Sequence, residues 1–182
     1  MKLSSDILIL HQSMRYVFSI SVVLSCFSGV VSHAQAKQDE EVKKAFVESE
    51  VKLPSAPQEK DLLLFHSSDS QQFYLDTQSL SIAADGSFRY TLVAKSRAGA
   101  RSISYEGLRC ETSEKRLFAF GRKDGEWSES RRKEWSSISS SDSNQQHGVL
   151  AWDFVCSYGR VVGGIDKITQ RVRRGESLQR SP

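Results

Sequence analysis

Few side chains in this sequence stand at spacings that chemistry would use. His66-Ser67-Ser68-Asp69 sets a base, two hydroxyls and a carboxylate in consecutive positions. Catalytic triads assemble from distant segments, because adjacent side chains rarely meet in productive geometry. The four residues therefore read as a polar loop between strands. No GxSxG, HExxH or P-loop pattern occurs. Two carboxylates, Glu106 and Asp153, remain as acid/base candidates. Glu106 is the odder one, because SISYEGLRC (Ser102–Cys110) otherwise reads as a half-buried strand. Tyr105, Glu106 and Arg109 form a polar cluster with two readings. In one, Glu106 is a structural carboxylate paired with Arg109 or Arg101; in the other, the cluster contacts a ligand. No residue is assigned a catalytic role.

A second constellation mixes cations with indoles. Arg122, Lys123, Arg131, Arg132 and Lys133 surround Trp127 and Trp135. Of these, Arg122, Lys123, Arg132, Trp127 and Trp135 are the candidates for gripping an anionic glycan, a lipid head group or an acidic protein. Glu126, Glu129 and Glu134 dilute the charge, which favours a solvated surface with the tryptophans turned inward. The net charge of the 182-residue chain is +3, too small to argue for nucleic acid. Beyond residue 36 the histidines are His66 and His147. They are too few for a convincing zinc site, and no metal or cofactor is expected.

The three cysteines, Cys26, Cys110 and Cys156, take their meaning from the N-terminus. Tyr16–Val31 is free of charge, Arg15 precedes it, and Ala34-Gln35-Ala36 supplies a small-x-small cleavage pattern before Lys37. Residues 1–36 are thus expected to be a cleaved signal peptide, with no stable transmembrane span left after cleavage. Met14 would make a more typical start than Met1. Val23-Leu24-Ser25-Cys26 loosely resembles a lipobox, so lipid anchoring through Cys26 is the alternative. Bulky Leu24 and the apolar residues beyond Cys26 count against it. Export leaves Cys110 and Cys156 in an oxidising compartment, and an even count there argues for a disulfide.

The elements that would position these residues can be read from periodicity. Residues 37–60 are charge-rich, then carry Pro54 and Pro57, and read as a tether or frayed helix outside the core. A domain over residues 61–175 opens with strand-like Leu62–Phe65 and Phe73–Leu75. SLSIAADGSFRYTLVAKS reads as a hairpin. Its three-residue loop, Ala84-Asp85-Gly86, would set Ile82 against Phe88 and give Gly86 a positive φ. In Ser102–Cys110, strict alternation puts Ile103 and Tyr105 opposite Leu108 and Cys110. A bulge at Gly107 would bring all four to one face. Leu117–Gly121 is strand-like, Lys123-Asp124-Gly125 is a turn, and residues 136–147 are a Ser-rich loop. Val149–Cys156 alternates as a last strand, tied by the disulfide to the strand ending at Cys110. Ile165, Ile168 and Val172 form a helical stripe with Asp166 near its start and arginines near its end. Gly175 closes it, and residues 176–182 are expected to fray. The class is α+β, mostly β: a single antiparallel sheet with one disulfide and a C-terminal helix.

The pattern resembles the CNP1-like family of exported proteins from Gram-negative bacteria. The carriers are FYLD (Phe73–Asp76), Ser79–Val93, AGARSISYEGLRC (Ala98–Cys110), LFAFGRKDGEW (Leu117–Trp127), Trp135 and DFVC (Asp153–Cys156). The resemblance spans most of Leu62 to Val172. It implies a periplasmic or envelope location and brings no established activity. It also implies that both cysteines, Tyr105, Glu106, Gly107 and Arg109 are shared family positions. The expected function is a non-enzymatic domain that binds an envelope protein or an anionic envelope component. The alternative is an enzyme acting on an envelope glycan or peptide with Glu106 as acid/base.

Overall fold

In the computed structural model the residues described are 46–139 and 145–180. Alternating residues between Leu62 and Ser137 build one antiparallel meander. Its strands are β1 (Leu62–Ser67), β2 (Gln71–Asp76), β3 (Ser81–Ile82), β4 (Phe88–Ser96), β5 (Arg101–Arg109), β6 (Glu114–Gly121), β7 (Trp127–Glu129) and β8 (Ser136–Ser137). The sheet runs β1-β2-β4-β5-β6-β7, with β3 also on β4 and β8 also on β6. The hairpin expectation holds: Ile82 pairs with Phe88 and Gly86 has φ +80°. The Ala83 N–H donates to the Ser87 carbonyl, and the Gly86 N–H to the Ala83 carbonyl. This is a type I turn followed by a left-handed glycine, a geometry that follows the strand twist.

The expected bulge at Gly107 is not there. β5 pairs with β4 without interruption, from Phe88↔Leu108 to Lys95↔Arg101. The extra residue lies in β6 instead, where Tyr105↔Ala119 is followed by Glu106↔Leu117, leaving Phe118 over. β5 therefore alternates strictly. Gly107 answers a close approach: a Cβ there would lie 2.9 Å from Phe118 Cε2 and 3.0 Å from Trp135 Cη2.

The chain beyond β8 departs further from expectation. Val149–Cys156 is not a strand. A helical turn, α1 (Gln145–Gly148), runs into π-helical turns over Val149–Val155, and only Cys156 begins a strand. The apolar residues of VLAWDFV satisfy i, i+4 spacing as well as alternation, and a short apolar run cannot decide between them. Burial follows the helical choice: Leu150, Ala151, Phe154 and Val155 are buried, whereas Trp152 is only partly so. β9 (Cys156–Ser157) and β10 (Arg160–Val161) form a separate two-stranded ribbon. The C-terminal helix α2 (Ile165–Arg174) is present, with Ile168 and Val172 buried and Gly175 left-handed at its end. The tail is tied back at Ser177, whose Oγ donates to Asp153 Oδ1 at 2.7 Å, ahead of a short 3₁₀ turn over Leu178–Arg180. Residues 181–182 lie outside the described residues.

Both faces of the sheet are covered. One packs Phe73, Leu75, Phe88, Tyr90, Leu92 and Leu108 against the helical segment and α2. The Cys110–Cys156 disulfide staples β5 to the ribbon, across a Cα–Cα distance of 5.4 Å. The other face carries Tyr105, Phe118 and Ala119, against which Val51, Trp127 and Trp135 pack. The stretch expected to be a tether is therefore a docked strap from Phe46 to Pro54. Residues 37–45, and the expected signal peptide with Cys26, lie outside the described residues.

Candidate functional site

Strand alternation separates Tyr105 from Glu106. Tyr90 and Glu106 pair across β4–β5, and their side chains share the face under the helices. Glu106 is buried, at 7% exposure. It is paired with neither Arg109 nor Arg101. Tyr90 Oη donates to Glu106 Oε2 at 2.9 Å, and Ser104 Oγ donates to Oε1 at 2.6 Å. His147 Nε2 lies 2.7 Å from Oε2. An ionised carboxylate offers only acceptors, so Nε2 carries the hydrogen in that contact. Burial pushes the Glu106 carboxyl up, but the hydrogen bond and charge of His147, with the Ser104 and Tyr90 hydroxyls, outweigh it. They hold the group at about 2. Burial first, then the neighbouring Glu106 charge, pushes the Tyr90 phenol well above its ordinary value. His147 Nδ1 is buried without a hydrogen-bond partner among the described residues.

The cations assigned to Glu106 serve elsewhere. Arg101 lies 3.4 Å from Glu59. Arg109 pairs with Glu114 at 2.9 Å and stacks its guanidinium on the Phe46 ring at 3.7 Å. Glu59 and Phe46 belong to the stretch expected to lie outside the core, and Glu114 begins β6.

The opposite face is a polar clamp on the strap. Arg89, buried in β4, donates to the Glu50 carbonyl at 2.7 Å and the Ser49 carbonyl at 2.8 Å. It also pairs with Asp85 at 3.0 Å. The Asp85 side chain is fully buried and accepts the Ser49 N–H at 2.8 Å and the Ser87 hydroxyl at 2.6 Å. Burial pushes the Asp85 carboxyl up, but these hydrogen bonds and Arg89 bring it below its ordinary value. Glu48 pairs with Arg116 and accepts Trp135 Nε1–H at 3.0 Å. Trp127 Nε1 donates to the Pro54 carbonyl at 2.7 Å. Burial pushes the Tyr105 phenol, on this face, above its ordinary value.

Trp127 and Trp135 thus hold the strap, while the basic residues expected to join them point outward. Arg122 pairs with Asp124 in the β6–β7 turn, and Lys123 and Arg132 are exposed. His66 and Ser67, expected in a loop, are the last two residues of β1, and His66 stacks on Phe73, with a ring-centroid distance of 5.7 Å. Burial pushes its pKa down, against the pull of Asp153. Ser68 bonds Gln71 in the following turn, as a loop residue would.

A cleft of about 310 Å³ opens beside the disulfide, where the β3–β4 turn, the end of β5 and the β9–β10 ribbon meet. Its lining includes Phe46, Ile82, Arg109, Glu111, Arg160 and Val161. Sequence reading missed this cleft and the Glu106–His147 pair. Neither had a local signal; Arg89, a charged residue between Phe88 and Tyr90 in β4, was a usable signal for the strap alone, since a buried guanidinium requires partners.

Among the described residues no helix is long and apolar enough to cross a membrane. A family model described as the CNP1-like family matches residues 41–173. Neither the comparison with curated proteins nor that with solved structures returned a match.

Proposed function

The chain belongs to the CNP1-like family, and from that premise we propose that it is an exported, non-enzymatic domain binding a protein or an anionic component of the cell envelope. One observation carries the non-enzymatic part. Glu106, the best acid/base candidate, is occupied by Tyr90, Ser104 and His147 and held at about 2. A general acid or base works best with a pKa near the operating pH. A buried carboxylate ionised this far below neutrality fixes the helical segment to the sheet instead. Export is supported by the leader-like N-terminus and by the Cys110–Cys156 disulfide, a bond that persists in oxidising compartments. Anchoring through a lipid on Cys26 is the second reading of localisation.

The test is capture from envelope fractions with the tagged full chain, alongside the intact mass of the recovered protein before and after reduction. A chain starting at Lys37, gaining two hydrogens on reduction and retaining the same partner in the parent and Glu106→Gln, is the expected result. A lipid-modified Cys26 at the start would move the protein to the membrane face. Material that accumulates on Glu106→Gln but is turned over by the parent would overturn the non-enzymatic reading.

A further inference from the structure

We propose that the cleft beside the disulfide receives the C-terminal end of a polypeptide, holding its free carboxylate at Arg160 and an apolar side chain against Phe46, Ile82 and Val161. The proposal deepens the binding reading above and rests on it. A volume of about 310 Å³ accommodates a residue or two rather than a folded surface.

The charges of the cleft select the ligand. Arg109 is engaged by Glu114 and by the Phe46 ring. Asp85 is engaged by Arg89. Arg160 and Glu111 are the other charged residues of the lining, and neither has an ion-pair partner among the described residues. Glu111 lies against the turn that carries Arg160, its Cα 3.7 Å from a Cβ placed at Gly159. A lining with one free cation and one free anion disfavours a polyanion such as a phosphate ester, whose second charge would be repelled by Glu111. The pair suits a group that offers a single carboxylate next to an N–H donor. The end of a peptide chain has that composition: its carboxylate takes the guanidinium, and its last amide N–H takes the Glu111 carboxylate. Ile82, 43% exposed at the rim, gives an apolar last side chain a surface to cover.

Tyr158 is a second, independent observation. The two residues joining β9 to β10 are Tyr158 and Gly159, with φ values of 49° and 71°. Positive φ at both places marks the type I′ turn, which prefers Asn-Gly. A bulky side chain at positive φ is an outlier, and this ring is fully exposed, so it gains nothing inside the fold. It stands at the tip of the hairpin whose next three residues line the cleft. There it can cover the residue preceding the bound chain end. Tyrosine and arginine are the side chains that most often dominate binding energies.

The test uses the full chain with its disulfide intact and a fluorescent tetrapeptide, Gly-Ser-Ala-Leu, as free acid and as amide, read by anisotropy. The free acid is expected to bind at least tenfold tighter than the amide. Arg160→Gln should weaken the acid at least tenfold and abolish the preference; Glu111→Gln should weaken acid and amide alike. Tyr158→Asn should weaken binding several-fold while raising the melting temperature by about 2–4 °C, because Asn suits the turn. Circular dichroism and the mass change on reduction confirm that each variant is folded. Equal affinity for acid and amide overturns the proposal, as does unchanged binding by Arg160→Gln or no binding of the acid at millimolar concentration. The wider reading is tested separately: if envelope capture recovers a partner equally on the parent and Arg160→Gln, the wider reading stands and the cleft proposal is overturned, whereas capture of no partner on the parent overturns the wider reading.

Discussion

The two faces of the sheet are held by different physics. The helix-covered face is an apolar core with a buried polar cluster at Glu106 and a covalent staple. The strap-covered face is held by charge-assisted hydrogen bonds from Arg89 and Arg116, by indole N–H groups and by the Arg109–Phe46 stack. Burial on the first depends on side-chain shape. The second recognises main-chain carbonyls and needs little apolar surface from the strap. The same strands serve both, because alternate residues of β4 and β5 look in opposite directions.

The largest expected effect breaks the first face. Glu106→Leu strands His147, Tyr90 and Ser104 without their acceptor, and should cost about 3–5 kcal/mol by urea denaturation. The pH dependence has a definite sign. Glu106 sits at about 2 in the folded state against an ordinary 4.5. Its stabilisation is fully present above the unfolded value and is lost as pH falls toward 2. The acid limb of the parent's stability profile should therefore flatten in Glu106→Leu.

Replacing both Cys110 and Cys156 by alanine should cost about 2–4 kcal/mol, measured the same way and matched by chemical reduction of the parent. Gly107→Ala acts on the other face, because its Cβ would press the Phe118 and Trp135 rings. A cost of about 1–3 kcal/mol is expected, with faster proteolysis just beyond the strap, at residues 55–58, as the local readout. Smallest is Glu48→Gln, which removes the ion pair with Arg116 but keeps an acceptor for Trp135. It should cost about 0.5–1 kcal/mol at low salt and less at high salt, whereas the effect of Glu106→Leu should barely respond to salt. If both respond equally, the contrast between the faces is wrong.

The elements legible in the sequence are those whose signal is local. The Ile82–Phe88 hairpin follows from Asp85-Gly86 and one apolar face, α2 from its 3.6-residue stripe and Gly175, and the disulfide from cysteine parity. Val149–Val155 misleads because its apolar residues satisfy two periods at once. His147 gives no local sign of its role, since its partner lies 41 residues away and on a different element. The strap was illegible for a related reason. Arg89 grips its carbonyls at Ser49 and Glu50, and any residue has a carbonyl. The cleft is formed by the strap, the β3–β4 turn, the end of β5 and the β9–β10 ribbon, which no pattern in the sequence joins.

The strap's attachments also set an order of events. They join residues 36 to 87 positions apart, between an N-terminal segment and β4, the β3–β4 turn, β7 and the stretch around Trp135. The strap is thus made early, but its anchoring site exists only once the meander has closed. Contacts this distant in sequence carry a large loop-closure cost and form late. Substitutions in the strap should therefore leave the folding rate nearly unchanged and speed unfolding, whereas substitutions in the β4–β5 pair should slow folding itself.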